Sequence, residues 1–205
     1  MWISTTSPKP KSSGLYAKVA NATVRDEIAT RQADTKLSDY SRSSQGILDW
    51  LEDALRAGGE AMFGSPNVRS PHQAREQLQS KYVLKVIATH LGRIGGSVLD
   101  APEDAYPIGA LALSAAAVQR SFQWYLKDQP KGVKQATFSS TKAGALTGFW
   151  QESAVADLMQ KPHRLQRLLD RAADFVSAPS AKAAAKAQAA SIYFRERSSS
   201  PLHHA

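Results

Sequence analysis

The chain has 205 residues, 42% hydrophobic and 21% charged, enough for one ordinary domain with a buried core plus tails. It has no cysteine, which excludes disulfides, thiol catalysis and Cys-ligated metal or iron–sulfur centres. The formal net charge of +8 is uneven: residues 1–45 are net +3, 46–129 net −1 and 130–205 net +6. Such ends hint at a polyanion or an anionic surface, although with so small a charge plain solubility is the favoured account.

Residues 1–14 (MWISTTSPKPKSSG) are rich in Ser, Pro and Lys and are expected to be disordered. They hold no apolar core of a signal peptide, so secretion is not expected, and no apolar run is long enough to span a membrane. Residues 15–37 follow helical spacing loosely through Leu15, Val19, Ala22, Val24 and Ile28, which predicts a weak helix. Ser38 to Gln45 reads as a polar linker, and the main domain is expected to begin near Gly46.

Ile47, Leu48, Trp50, Leu51, Ala54 and Leu55 form one apolar helical face, ended by Gly58-Gly59. Ser70-Pro71 reads as a cap and first helical residue. From there Ala74, Leu78, Val83, Ile87 and Leu91 predict an amphipathic helix of about 24 residues, stopped at Gly95-Gly96. Pro107 opens a segment apolar on nearly every side from Ile108 to Val118, the pattern of a central bundle helix. A capped helix from Ser139 or Ser140 to about Gln160, broken at Lys161-Pro162, and a last core helix over about 163–177 complete the domain. Beyond Pro179 the alanine-rich stretch 181–190 has high helix propensity and ends on Ile192, Tyr193 and Phe194. Strand patterns and internal repeats are essentially absent.

The segments Tyr106 to Leu126 (YPIGALALSAAAVQRSFQWYL) and Phe138 to Leu158 (FSSTKAGALTGFWQESAVADL) carry a resemblance. Their Pro-Ile-Gly-Ala-Leu-Ala-Leu run, Phe-Ser pair and following helix, in that order, resemble an uncharacterised helical domain of unknown function found in many copies in mushroom-type (basidiomycete) fungi. The match would cover about Ser70 to Val176. It implies a helical fold and a fungal, intracellular source, and it carries over no catalytic or binding residue.

Catalytic signatures are missing: there is no HExxH, GxxxxGK[ST], GxSxG or EF-hand loop. Gly92, Gly95 and Gly96 invite a phosphate-loop reading but follow a helix rather than a strand, which makes them a helix stop. His203-His204 reads as a terminal accident. His90, with Arg93 and the nearby Asp100, Glu103 and Asp104, could do acid–base work, yet no nucleophile accompanies it, and a helix-end histidine is the plainer account. Glu152 and Asp157 do not share a face well, which speaks against a paired-carboxylate hydrolase. Phe122, Trp124, Tyr125, Phe149 and Trp150 could cage a ligand but more often build core.

The basic C-terminal third is the better lead. Lys161, Arg164, Arg167 and Arg171 fall within about 120° of helix arc, and Lys182 and Lys186 continue the positive charge. Guanidinium groups suit phosphates, although Asp170, Asp174 and Glu196 interrupt the field. Ile192, Tyr193 and Phe194 would anchor the alanine-rich helix on a partner or a second copy.

The sequence therefore predicts an all-α fold: a single orthogonal or bundle-like domain of five to six helices over 46–177. A mostly disordered or weakly helical segment (1–45) precedes it, and an Ala-rich basic helix and tail (178–205) follow. The expected role is a non-catalytic intracellular (cytoplasmic or nuclear) interaction module with a protein or self partner. The alternative is a sequence-tolerant nucleic-acid binder. No cofactor, metal or small-molecule substrate is indicated.

Overall fold

A computed structural model describes residues 13–94, 108–127 and 140–176. In chain order it holds α1 (Ser13–Ala33), α2 (Asp39–Arg42), α3 (Ser44–Leu55), β1 (Phe63–Ser65), β2 (Arg75–Gln77), α4 (Lys81–Ile94), α5 (Ile108–Leu126), α6 (Ser140–Trp150), α7 (Ala156–Met159) and α8 (Pro162–Ala173). A π-helical turn, Gln151–Val155, joins α6 to α7, so the chain is helical in one run from Ser140 to Met159. The all-α class expected from the sequence is the observed one.

The alanine-rich helix α5 is the centre. Ala112, Ala115, Ala116, Ala117 and Val118 are at most 1% exposed, and α1, α3, α4 and α6 pack around it. Small side chains permit that crowding from several directions. Two serines are buried with them. The Ser114 and Ser121 hydroxyls donate to the Ala110 and Ala117 carbonyls at 2.7 and 2.9 Å, so neither is left unsatisfied in the core.

The expected domain start at Gly46 moves back to α1. Tyr16, Ala20 and Val24, spaced four apart on one line, are 5%, 0% and 0% exposed and belong to the core. Burial of Val24 alone contributes about 1.5–3 kcal/mol, more than the propensity cost of a loosely patterned helix. The linker expected at 38–45 is also structured. Ser38 Oγ accepts from the Ser41 N–H, and Ser43 Oγ accepts from the Gly46 N–H, each at 3.1 Å, so two serines cap two successive helices. A Cβ on Gly46 would overlap the Tyr40 carbonyl, so that position admits only glycine.

The long helix expected from Ser70 is shorter. Pro71–Gln73 makes one 3-10 turn, and β2 then pairs antiparallel with β1, Phe63 opposite Gln77 and Ser65 opposite Arg75. Glu76 and Leu78 take left-handed backbone (φ 59° and 63°), which no helix can contain. Full burial of Leu78 offsets part of that cost of roughly 1–2 kcal/mol per residue. The helix begins where Ser80 Oγ accepts from the Val83 N–H at 3.2 Å while donating to the Ala61 carbonyl at 2.7 Å. The glycine stop at 95–96 and the alanine-rich stretch after 177 lie outside the described residues.

Candidate binding surfaces

The basic stripe is partly consumed inside the fold. At the start of α8 the Lys161 ammonium pairs with Asp157 at 2.6 Å, and that hydrogen bond holds the Asp157 carboxyl below its ordinary range. At the other end Arg171 Nη1 reaches Glu76 at 2.8 Å and Gln79 at 3.0 Å, fastening α8 to β2 and the entry of α4. Arg167 is exposed and Arg164 half-buried. The four cations therefore do not present one free face. Lys182, Lys186, Ile192, Tyr193 and Phe194 lie outside the described residues.

The densest polar junction involves Glu60, which the sequence reading did not single out. One carboxylate oxygen, Oε1, accepts from Arg31 Nη2 at 3.0 Å and from the Trp50 indole N–H, and the Tyr82 hydroxyl approaches it at 3.4 Å. Arg31 lies 4.2 Å over the Trp50 ring. Arg31 also meets Glu27, and Glu27 takes the Lys81 ammonium at 2.5 Å. Burial, then the nearby Glu60 and Glu27 charges, push the Tyr82 phenol well above its ordinary pKa, so it stays protonated as a donor. Behind the junction Phe122 packs edge-on to Tyr82 (4.9 Å) and tilted to Trp50 (5.6 Å). Gly58, at φ +76°, turns the chain so that Glu60 faces back on α3. That left-handed glycine was the one visible signal, because a polar residue set by a Gly-Gly turn just after an apolar helix is placed precisely.

Phe63 lines two clefts. On one side a cleft of about 460 Å³ lies between β1, the start of α4 and the end of α8, with Gln79, Lys81, Arg171 and Asp174 among its polar lining. On the other a cleft of about 430 Å³ is mainly apolar, walled by Leu55, Met62, Phe63, Phe149 and Trp150. The Trp150 indole N–H donates to Gln119 at 2.8 Å, which fixes that ring. Phe149 packs edge-on against it at 5.3 Å and is 56% exposed. The five aromatics thus divide: Phe122 is core, Trp124 and Tyr125 are half-buried, and Phe149 with Trp150 forms a separate pair.

His90 finds a partner that its sequence neighbours did not suggest. The Tyr16 hydroxyl of α1 lies 2.8 Å from His90 Nδ1. Burial first, and Arg93 second, lower the His90 pKa, so the ring is neutral and accepts from Tyr16. Burial raises Tyr16 to about 12. Glu152 and Asp157 are both exposed, and Asp157 is taken by Lys161. Among the described residues no group of three His, Asp or Glu could hold a metal ion, and no helix is long and apolar enough to cross a membrane. No family model, curated protein or solved structure matches the chain.

Proposed function

We propose that the chain is a non-catalytic helical interaction module that associates with a second copy of itself. In this reading the Phe149–Trp150 cleft of one copy receives Ile192, Tyr193 and Phe194 of another. The observation that carries it is Phe149, a large aromatic more than half exposed at the mouth of an apolar cleft. Exposed aromatics beside apolar pockets are what association surfaces are made of. The choice of occupant rests on length and charge. The sequence continues for 29 residues after Val176, and its triplet of large apolar residues is flanked by Lys182, Lys186, Arg195 and Arg197, with one acid, Glu196, between the arginines. The cleft's one cation, Arg56, is paired with two acids, Glu52 and Asp53, which leaves that edge net negative.

Light scattering across a micromolar concentration series tests this. The molar mass rises with concentration, and both Phe149→Ser and the triple change Ile192→Ser, Tyr193→Ser, Phe194→Ser return it to the monomer value. A mass that stays monomeric throughout overturns the reading. On α8 a nucleic-acid role would draw on exposed Arg167 and half-buried Arg164, since Lys161 and Arg171 already hold partners, together with Lys182 and Lys186 beyond the described residues.

A further inference from the structure

The loop from Ser65 to Arg75, between β1 and β2, carries an inference independent of self-association. The chain has no acidic residue between Glu60 and Glu76, and Arg69, His72 and Arg75 are all exposed there. Elsewhere the arginines are largely matched: Arg25, Arg31, Arg42, Arg56 and Arg171 each hold a carboxylate. Neither Arg69 nor Arg75 has an ion pair or hydrogen bond among the described residues. Asp170 and Asp174 interrupt the charge of α8, and the loop has no such interruption.

Water satisfies exposed guanidiniums one by one, but the backbone under this pair is built to hold still. The Asn67 N–H donates to the Gly58 carbonyl at 2.9 Å, and Asn67 Oδ1 accepts from the Ser70 N–H at 2.9 Å, so Arg69 sits inside a closed turn. The Gln73 and Ala74 N–H groups then donate to the Ser70 and Pro71 carbonyls at 2.8 and 3.1 Å and deliver the chain to Arg75, opposite Ser65. The loop lies close on the turn after α3: a Cβ on Gly58 would meet the Asn67 carbonyl oxygen at 2.6 Å and Pro71 Cα at 2.9 Å. Charge carried on fixed backbone loses less freedom on binding than charge on a loose tail. Glu76, next along β2, holds Arg171 of α8, and exposed Arg167 stands one turn before Arg171 on the same side of that helix.

The kind of partner follows from what the loop lacks. A protein interface has an apolar or aromatic anchor at its centre, and a membrane-bound surface inserts apolar side chains. The exposed large hydrophobics among the described residues are Tyr40, Phe149 and Phe175, none of them in this loop. Unbalanced guanidiniums without an apolar anchor suit phosphate groups, which they grip by paired hydrogen bonds. Single strands are held by stacking bases on aromatic rings, and the loop has no aromatic residue except the imidazole of His72. We propose that Arg69 and Arg75 grip the sugar–phosphate backbone of a duplex nucleic acid, with Arg167 adding a contact from α8, and that the loop reads no sequence.

Fluorescence anisotropy of the full chain with labelled duplex DNA of random sequence, over about 50–200 mM salt, tests this. The double change Arg69→Gln, Arg75→Gln weakens binding at least about tenfold and lowers the steepness of the log–log salt dependence by about 2, leaving the share of α8. Both side chains are exposed and unpaired, so the variant keeps its Tm. Arg69→Lys with Arg75→Lys keeps the salt slope and loses only the affinity that the forked hydrogen bonds supply. The same loss in a Phe149→Ser background separates the result from self-association. The proposal is overturned by no binding at the lowest salt, by a double Gln variant that binds like the parent, or by a single strand that binds as tightly as the duplex. Polyglutamate that competes as well as DNA also overturns it and makes the partner an acidic protein.

Discussion

The Arg31 guanidinium lies 4.2 Å over the Trp50 ring, and both side chains donate to the same oxygen of Glu60. A cation, its aromatic platform and their common acceptor come from α1, α3 and the turn after α3, and Tyr82 of α4 joins them. One carboxylate therefore ties three helices. Glu60→Ala is expected to cost about 1–3 kcal/mol, because the Trp50 indole N–H and the Tyr82 hydroxyl lose their acceptor while Arg31 keeps only Glu27. Glu60→Gln, which keeps an acceptor, costs less. Urea unfolding of the two variants checks the order.

Acid weakens the contact between α1 and α4. The folded-state pKa of His90 lies below the ordinary 6.5, so the unfolded chain takes up its proton first as pH falls. Stability from this group is complete above about 6.5 and is lost as pH drops from there through the lower folded value. His90→Phe flattens this part of a denaturation series run from pH 7 to about 4.

Alkali acts on the other partner. Tyr16 is raised to about 12, so the unfolded chain ionises near 10 while the folded one does not. Its contribution holds below 10 and is lost as pH rises toward 12. Tyr16→Phe removes that alkaline component and costs about 1 kcal/mol at neutral pH for the lost hydrogen bond. Thermal melts at pH 7 and in the alkaline range separate the two effects.

Salt dependence measures how much of the basic stripe is free. With Arg164 and Arg167 alone available on α8, binding of random DNA or RNA through this helix gives a log–log salt slope of about −2 rather than −4. Fluorescence anisotropy at several salt concentrations reads the slope directly. A steeper value that Lys161→Ala or Arg171→Ala reduces would mean that those ion pairs open on binding.

Gly46 sets a steric limit. Gly46→Ala pushes a methyl group into the Tyr40 carbonyl, which is backbone and cannot rotate away. The expected loss is about 1–3 kcal/mol, whereas Gly109→Ala, where an added Cβ meets nothing within 4 Å, gains up to about 1 kcal/mol from helix propensity. Paired Tm values test the contrast.

Helices with a strong apolar stripe, α3 and α8, and the all-round apolar α5 were legible because their own periodicity states where they bury. For α1 the helix was legible but its burial was not, since its core line includes Ala20, which reads as neutral until α5 packs against it. The start of α4 was misread because Ser70-Pro71 and Ser80 are both competent starts, and only the left-handed Glu76 and Leu78 decide between them. The basic stripe was visible as arc geometry, but its partners Glu76 and Gln79 lie about 90 residues away in sequence. The Glu60 junction draws on four separate segments, so no local pattern announces it.

Phe63 is a party wall between the two clefts. A shift of its ring therefore alters both compartments at once. An occupant of either side thus changes the work needed to fill its neighbour, and linkage makes that change equal in both directions. Titrating one occupant in the presence of the other would return the same coupling free energy from either end.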